Sequence, residues 1–306
     1  MIKITYAGKD ITDNVSINKC WHDMYAAGQS DTLTLRVGDA ANLWDKWGPT
    51  EGDEINIAYG SIHTGKMFVS SVYPRNGLYT ITATAAPRTA FDKQFKSWAK
   101  VRLLQIGQEI AARHGLKFKA YGVTDRLYTY ILQAGVSDLA FLHSRAQLEG
   151  CAFLIYDGTL ILYDEAYMEM QTPAGVIALG LDGKYSFYND SRELYGSCKV
   201  ESGGYSGEYD AGNGSARVLV PADDISIGSN AEATRFARGL LRAANKGCLN
   251  GWIKGQIVPQ YAAASIAKLE CSRAPSWNGN VFLTHVRNDY AAGAAKLFFR
   301  KPLEGY

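Results

Sequence analysis

The sequence predicts a β-rich α+β chain in which two strand-rich units flank a mixed α+β insert. Three observations lead there. Residues 1–86 hold runs that alternate apolar and polar positions, the period of a half-buried strand. After Pro87 the period becomes helical, and from about residue 171 strands return. One strand is also written twice: GKMFVSSV at 65–72 and GNVFLTHV at 279–286 both fit Gly-x-x-Phe-[Val/Leu]-[Ser/Thr]-x-Val.

The first unit, 1–87, rests on TLTLRV (32–37), DEINIAY (53–59), KMFVSSVY (66–73) and LYTITATA (78–85). Gly48-Pro49, Glu51-Gly52-Asp53 and Arg75-Asn76-Gly77 punctuate them. The last is a hairpin turn, because Asn-Gly tolerates positive φ. Short strands at this spacing fit a small barrel or sandwich.

The insert, 88–170, carries Leu103, Ile106 and Ile110 on one helical face, with Gly115 as the stop. In a second helix Ser137 is the N-cap, Asp138 suits the first turn, Leu139, Leu142 and Ala146 form the apolar stripe, and Gly150 closes it. AFLIYD and TLILYD then form a hairpin around Asp157-Gly158.

The last unit, 171–306, offers strands at 184–190, 195–202 and 216–221, and one helix at about 230–246. Ser229 and Glu232 read as its capping box, with Ala233, Phe236, Ala237, Leu240, Leu241 and Ala244 as its apolar face. The Gly-rich stretch 202–215 reads as a mobile loop. GWIKGQIV, ASIAKLEC, GNVFLTHVRND and AAKLFFRKP end the chain as strands.

Composition narrows the function classes. A length of 306 residues suits two or three domains, and 47% apolar residues can build a sizeable core. A formal charge of +2 argues against a dedicated nucleic-acid binder, which needs a basic face. The start, MIKITYAGKDITDN, lacks a signal-peptide pattern, and no run approaches a membrane helix. Cys20, Cys151, Cys198, Cys248 and Cys271 are scattered and read as free thiols. The 19 tyrosines fit a β-rich chain with large interfaces.

No catalytic, cofactor or metal constellation emerges. His22, His63, His114, His143 and His285 have no metal-ligand spacing, and Cys20 with His22 makes no triad. Asp164 with Glu165, Asp223 with Asp224, and Glu208 with Asp210 are sequence neighbours, whereas a glycosidase needs carboxylates across a cleft. The glycines around 179–186 lack the Gly-Lys-[Ser/Thr] ending of a phosphate loop. Lys93, Lys96, Lys100 and Arg102, interleaved with Phe95 and Trp98, form the one basic run. It reads as a solvated face or as a contact for nucleic acid or an acidic partner, with Trp98 anchoring the helix that follows.

Three segments carry a family resemblance: FKSWAKVRLLQIGQEIAARHGL (95–116), VSDLAFLHSRAQLEGCAFLIYDGTLILYD (136–164), and the capped helix at 229–246 with the later GNVFLTHVRNDY (279–290). Together they resemble the late-control, or baseplate hub, proteins of contractile-tailed bacteriophages, whose hub part is shared by type VI secretion spike proteins. The resemblance implies two tail-tube-like β-barrels in one chain with the insert between them. It implies a homotrimer whose six tube-like units match the sixfold tail tube and whose threefold underside fits the central spike. Implied partners are the tube ring, a separate spike protein, other baseplate proteins and the tape-measure protein. DNA would meet the chain only in transit through the lumen, and no membrane insertion is implied. The place is the virion tail baseplate, assembled in the host bacterial cytoplasm, with no enzyme activity and no cofactor. Rival readings are a tail-tip cell-wall hydrolase and a stand-alone carbohydrate- or protein-binding module.

The repeated strand carries expectations of its own. Gly65 and Gly279 should sit at matching turns. Phe68 and Phe282 should point into two separate cores with Val72 and Val286, while Val69 and Leu283 face the other way.

Overall fold

The computed structural model describes residues 2–222 and 225–306. The first unit runs β1 (Ile2–Tyr6), β2 (Lys9–Asp10), β3 (Ser16–Tyr25), β4 (Thr32–Gly38), α1 (Leu43–Trp47), β5 (Glu54–Tyr59), β6 (Ile62–His63), β7 (Met67–Arg75) and β8 (Leu78–Thr84). The alternation read in the sequence is the alternation observed. Leu33, Leu35 and Val37 of β4 and Ile55 and Ile57 of β5 are wholly buried. Asn76 and Gly77 both take positive φ, 52° and 72°, as a tight hairpin demands.

The insert runs β9 (Lys93–Arg102), α2 (Leu103–Arg113), β10 (Lys117–Tyr121), β11 (Leu127–Ser137), α3 (Asp138–Leu148), β12 (Cys151–Tyr156), β13 (Thr159–Asp164) and α4 (Glu165–Glu169). The Ser137 side chain accepts from Ala140 N at 3.3 Å, the cap foreseen. β10, β13 and β12 form a small sheet, and β9 pairs with β11 in a two-stranded ribbon. That ribbon was not legible as strands; the basic run lies on β9, which passes directly into α2 at Leu103.

The remainder runs β14 (Val176–Leu179), β15 (Lys184–Asn189), β16 (Ser197–Ser202), β17 (Tyr205–Asp210), β18 (Val218–Leu219), α5 (Asn230–Asn245), β19 (Leu249–Gln256), β20 (Ile266–Cys271), β21 (Gly279–Asp289) and β22 (Ala294–Arg300). Here the mobile-loop reading of 202–215 is corrected. Tyr205–Asp210 pairs along the whole of Ser197–Ser202. Gly207 is there for close packing: a Cβ on it would lie 2.2 Å from Thr234 N of α5.

The large sheet runs β15-β19-β22-β21-β3-β4-β8-β7-β5-β1-β2, with β20 on β21 and β14 on β20. It contains one strand order twice. The first unit reads β3-β4-β8-β7-β5-β1, and the last reads β15-β19-β22-β21-β20-β14. The registers correspond as well. Phe68 faces Thr84 and Phe282 faces Arg300, and each strand then carries a bulge at the next residue but one, Ser70 and Thr284. The copies part at the outermost strand, where β1 runs antiparallel to β5 but β14 runs parallel to β20.

Two expectations change. The sheet ladders close neither half into a barrel among the described residues; instead β21 pairs with β3 and the halves share one sheet. The repeated strands are not neighbours in it, since β3, β4 and β8 lie between them. The side-chain directions are also reversed. Met67 and Val69 are buried while Phe68 is half-buried. Each bulge inserts one residue and shifts the alternation. Val72 therefore sides with Val69, opposite Ile81 and Ala83, and Val286 sides with Leu283, opposite Leu297 and Phe299. Gly65 and Gly279 do take positive φ, 66° and 108°.

Phe282 lies on the other face and is still 1% exposed, because it packs with Ala152 and Tyr163 of the insert. Phe282→Ala is expected to cost about 3–5 kcal/mol in chemical denaturation, and Phe68→Ala distinctly less. Equal losses would contradict the assignment of the two faces.

Candidate functional site

The join between the halves is built by the THVR segment. β21 meets β3 in antiparallel register, with His285 opposite Tyr25 and Arg287 opposite Asp23. Asp23 is 5% exposed. His285 Nε2 and Arg287 Nε each lie 2.6 Å from its Oδ1. Burial alone would raise the Asp23 pKa, but the bonds from His285 and Arg287 outweigh it and hold the carboxyl below its usual range. The His285 ring is sandwiched between Tyr25 and Phe298, with centroids 4.4 and 4.5 Å away. Beside it, His22 Nδ1 lies 2.9 Å from the Tyr290 hydroxyl, and full burial pushes His22 down to about 4.

A second buried cluster ties the insert to the last unit. Glu165 and Glu169 of α4 face Arg242 of α5, Lys246 just beyond it, and Arg300 of β22. Arg242 Nη2 lies 2.5 Å from Glu169 Oε1, and Lys246 Nζ lies 2.8 Å from Glu165 Oε1. Arg300 Nη1 donates to Glu169 and its guanidinium lies 4.5 Å over the Phe282 ring. Burial opposes ionisation of Glu165, but the three cations win and lower its pKa.

A third network was invisible in the sequence. Asp138 accepts two bonds from Arg113 at 2.8 and 2.7 Å and one from Gln133 at 2.9 Å, and it lies 2.8 Å from His114 Nε2. Thr89 Oγ1 lies 3.0 Å from His114 Nδ1. Hydroxyl, imidazole and carboxylate thus fall in the order of a nucleophilic relay. The carboxylate is instead committed to Arg113, which fastens the end of α2 to the start of α3, and the larger cavities are lined by none of the three.

A cavity of about 390 Å³ lies where β3, β13 and the segment before β20 meet, lined by Tyr25, Tyr156, Tyr163, Tyr261 and Asp31 among others. Asp31 accepts from Tyr25 N at 2.8 Å. Burial, reinforced by the charge on Asp23, pushes its carboxyl up to about 7.

The other residues weighed in the sequence are dispersed. His63 meets the Tyr156 hydroxyl at 3.0 Å, and His143 lines a separate cavity with Phe91. All five cysteines are buried and unpaired. Among the described residues no three His, Cys, Asp or Glu side chains could hold a metal ion. Asp164 caps α4 through Tyr167 N, which separates its role from that of Glu165. Asp210 accepts from Gly212 N, and Glu208 lies on the same strand. Asp223 and Asp224 lie outside the described residues. Lys96 pairs with Glu109 and sits 3.7 Å over Trp98, whose buried ring stacks on Phe141 of α3. The join had one legible signal: Asp23, His285 and Arg287 are charged or titratable residues set in strands that also carry buried apolar residues such as Cys20, Leu283 and Val286.

Two outcomes follow from these charges. Asp23→Ala leaves Arg287 and His285 without their acceptor and is expected to cost about 1–3 kcal/mol near neutral pH. Because the Asp23 pKa is depressed on folding, that contribution disappears as pH falls below about 4. Asp31 has the opposite sign. Its pKa rises on folding, so its contribution is present below about 4 and is lost as pH rises through 7. Asp31→Asn is therefore expected to gain about 2–4 kcal/mol at pH 8 and nothing at pH 4, read by denaturant titration. A gain at both pH values would contradict it.

No protein-family model matches the chain, and no curated protein sequence does. Solved structures do. The 43 kDa tail protein of prophage MuSo2 from Shewanella oneidensis aligns over 98% of both chains with a TM-score of 0.77 at 14% identity. The tail protein from Neisseria meningitidis aligns over 98% of this chain and 95% of its own, with a TM-score of 0.75 at 11% identity. An E. coli component of the type VI secretion system, described as structurally similar to bacteriophage T4 tail proteins gp27 and gp5, aligns over 95% of this chain and 76% of its own, with a TM-score of 0.61 at 12% identity. Identities this low bear on architecture alone, and in architecture this chain, from end to end, has the fold of the phage and prophage tail proteins.

Proposed function

We propose that the chain is the structural baseplate hub of a contractile tail or tail-like injection machine. The observation that carries this reading is the six-strand order written twice in one chain. A protein of this kind joins a sixfold tube to a threefold spike, and duplication inside the chain lets three copies present six equivalent units. Residues 1–87 and 171–306 would be the two tube-like units, and 88–170 the insert held outside them. The β21–β3 ladder would then be a unit-to-unit contact made within one chain. The likeness in fold to prophage tail proteins and to a type VI secretion component supports the reading.

The hub works by shape, not by chemistry. Its partners are two further copies of itself, the tail tube ring, the central spike protein, and other baseplate proteins with the tape-measure protein. DNA passes through its lumen without being held. It belongs to the virion tail baseplate and is assembled in the host cytoplasm.

A reconstruction of the assembled particle should count three copies in the hub ring, with interfaces of roughly 2,000 Å² or more. A ring of one or six copies would overturn the reading.

A further inference from the structure

The internal join shows one half how to meet the other, and the duplication says where that join should recur. In the last unit β21 offers its outer edge to β3 of the first unit. The counterpart of β21 is β7, and the counterpart of β3 is β15. Both counterparts have a free edge among the described residues. β5 and the turn before it hold β7 only as far as Val69, whose N–H donates to Asp53 O and whose carbonyl accepts from Gly52 N, and from Ser70 on the strand is held on one side alone, by β8. β15 is paired only with β19. We propose that β7 of one chain pairs antiparallel with β15 of a neighbouring copy, repeating the β21–β3 ladder between chains.

The register can be copied residue by residue. Arg287 lies opposite Lys296 as Tyr73 lies opposite Thr80, each one row beyond the equivalent pairs Val286–Leu297 and Val72–Ile81. Asp23 pairs with Thr32, which pairs with Thr84; Tyr188 pairs with Asn250, which pairs with Arg300. Since Thr84 and Arg300 correspond, Tyr188 stands where Asp23 stands and Tyr73 stands where Arg287 stands. The internal pair Asp23–Arg287 thus becomes Tyr188 facing Tyr73. These two tyrosines are 49% and 44% exposed in the single chain. Two large, half-exposed rings at directly opposed positions on free strand edges are what a cross-strand aromatic contact needs.

The backbone agrees with one exception. In the internal ladder Tyr290 N donates to Cys20 O and Ala26 N donates to Thr284 O, both at 2.9 Å. Antiparallel pairs alternate, so the bonded pairs include those at Val286 and Asn288. Their counterparts are Val72, free to bond Asn189, and Pro74, which can accept from Phe187 but cannot donate. The ladder between chains is therefore one bond shorter. The edges are different strands, so the contact is heterologous and closes a ring or runs on as a filament.

This inference rests on the hub reading for its closure at three chains. Tyr73 and Tyr188 fall at a non-bonded pair, where Cβ atoms approach most closely, so a Tyr73→Cys/Tyr188→Cys chain should cross-link to its neighbours. The native cysteines are buried and give no background. The expected result, in assembled particles on a non-reducing gel, is a covalent three-chain species. Either single variant, and the off-register pair Arg75→Cys/Tyr188→Cys, should stay as single chains. Failure of the in-register pair to cross-link in a particle with three hub copies would overturn the strand pairing and leave the hub reading standing. Species longer than three chains, or a ring with another copy number, would overturn the hub reading instead. Charge gives an independent check that needs no disulfide. Tyr73→Arg and Tyr188→Asp should each reduce assembled particles, and the double variant, which transplants the internal ion pair, should recover them. No recovery in a double variant that folds counts against the register.

Discussion

The architecture depends on one edge of one strand, β21, serving two partners. The first residues of β21 pair with β20, through Phe282 opposite Ile266. Its last residues pair with β3, through His285 to Asp289. The change happens at the bulge at Thr284. A bulge bends a strand and increases its twist, so the same strand can leave the sheet of its own unit and enter that of the other. Asp23 fixes where the crossing occurs. A carboxylate buried this deeply is costly unless paired, and the acceptor bonds it needs come from His285 and Arg287, two residues apart on β21. A slip of one residue would turn both donors to the other face and strand the charge.

The insert is held by the reverse face of the same strand. Phe282 packs with Tyr163 and Ala152, and Arg300, opposite it on β22, reaches Glu169 of α4. Gly239 lets α5 come close to α3, since a Cβ there would lie 2.3 Å from Leu148 O. Sheet, insert and helix therefore converge on the Phe282–Arg300 pair. This is why the Phe shared by the two copies is wholly buried in one and half-buried in the other. The insert covers one of them and leaves the other open.

Much of this was written locally. The Asn76-Gly77 turn, the Ser137 cap, and the alternating β4, β5 and β8 follow from turn chemistry and period, which tertiary contacts here reinforce. The Ser229 cap is also as read, with Ser229 Oγ accepting from Glu232 N, although Glu232 reaches back to Gly228 N and not to Ser229. What escaped the sequence was non-local. The bulges at Ser70 and Thr284 inverted the side-chain directions because an extra residue leaves no mark in an apolar pattern. The β9–β11 ribbon hid among alternating Lys and aromatic residues. The hairpin at 205–210 hid because its glycines were read as freedom, while Gly207 serves close contact. The Asp138 and Glu165 networks join residues that no spacing links.

The two copies also explain why their kinship is faint in sequence. The buried face is conserved in kind: Met67, Val69 and Val72 correspond to Val281, Leu283 and Val286. The opposite face has diverged with its surroundings. In the first copy Ser70 and Ser71 lie 3.1 and 2.6 Å from the Thr82 hydroxyl, a face suited to water. In the last copy the places of Ser71 and Thr82 are taken by His285 and Phe298, stacked against each other. Backbone order is set by the buried face and by hydrogen bonding, so it survives while the outward residues beyond the shared Phe68 and Phe282 change. A duplicated chain can keep two copies geometrically alike, as a symmetric ring requires, and still give each outer surface a different neighbour.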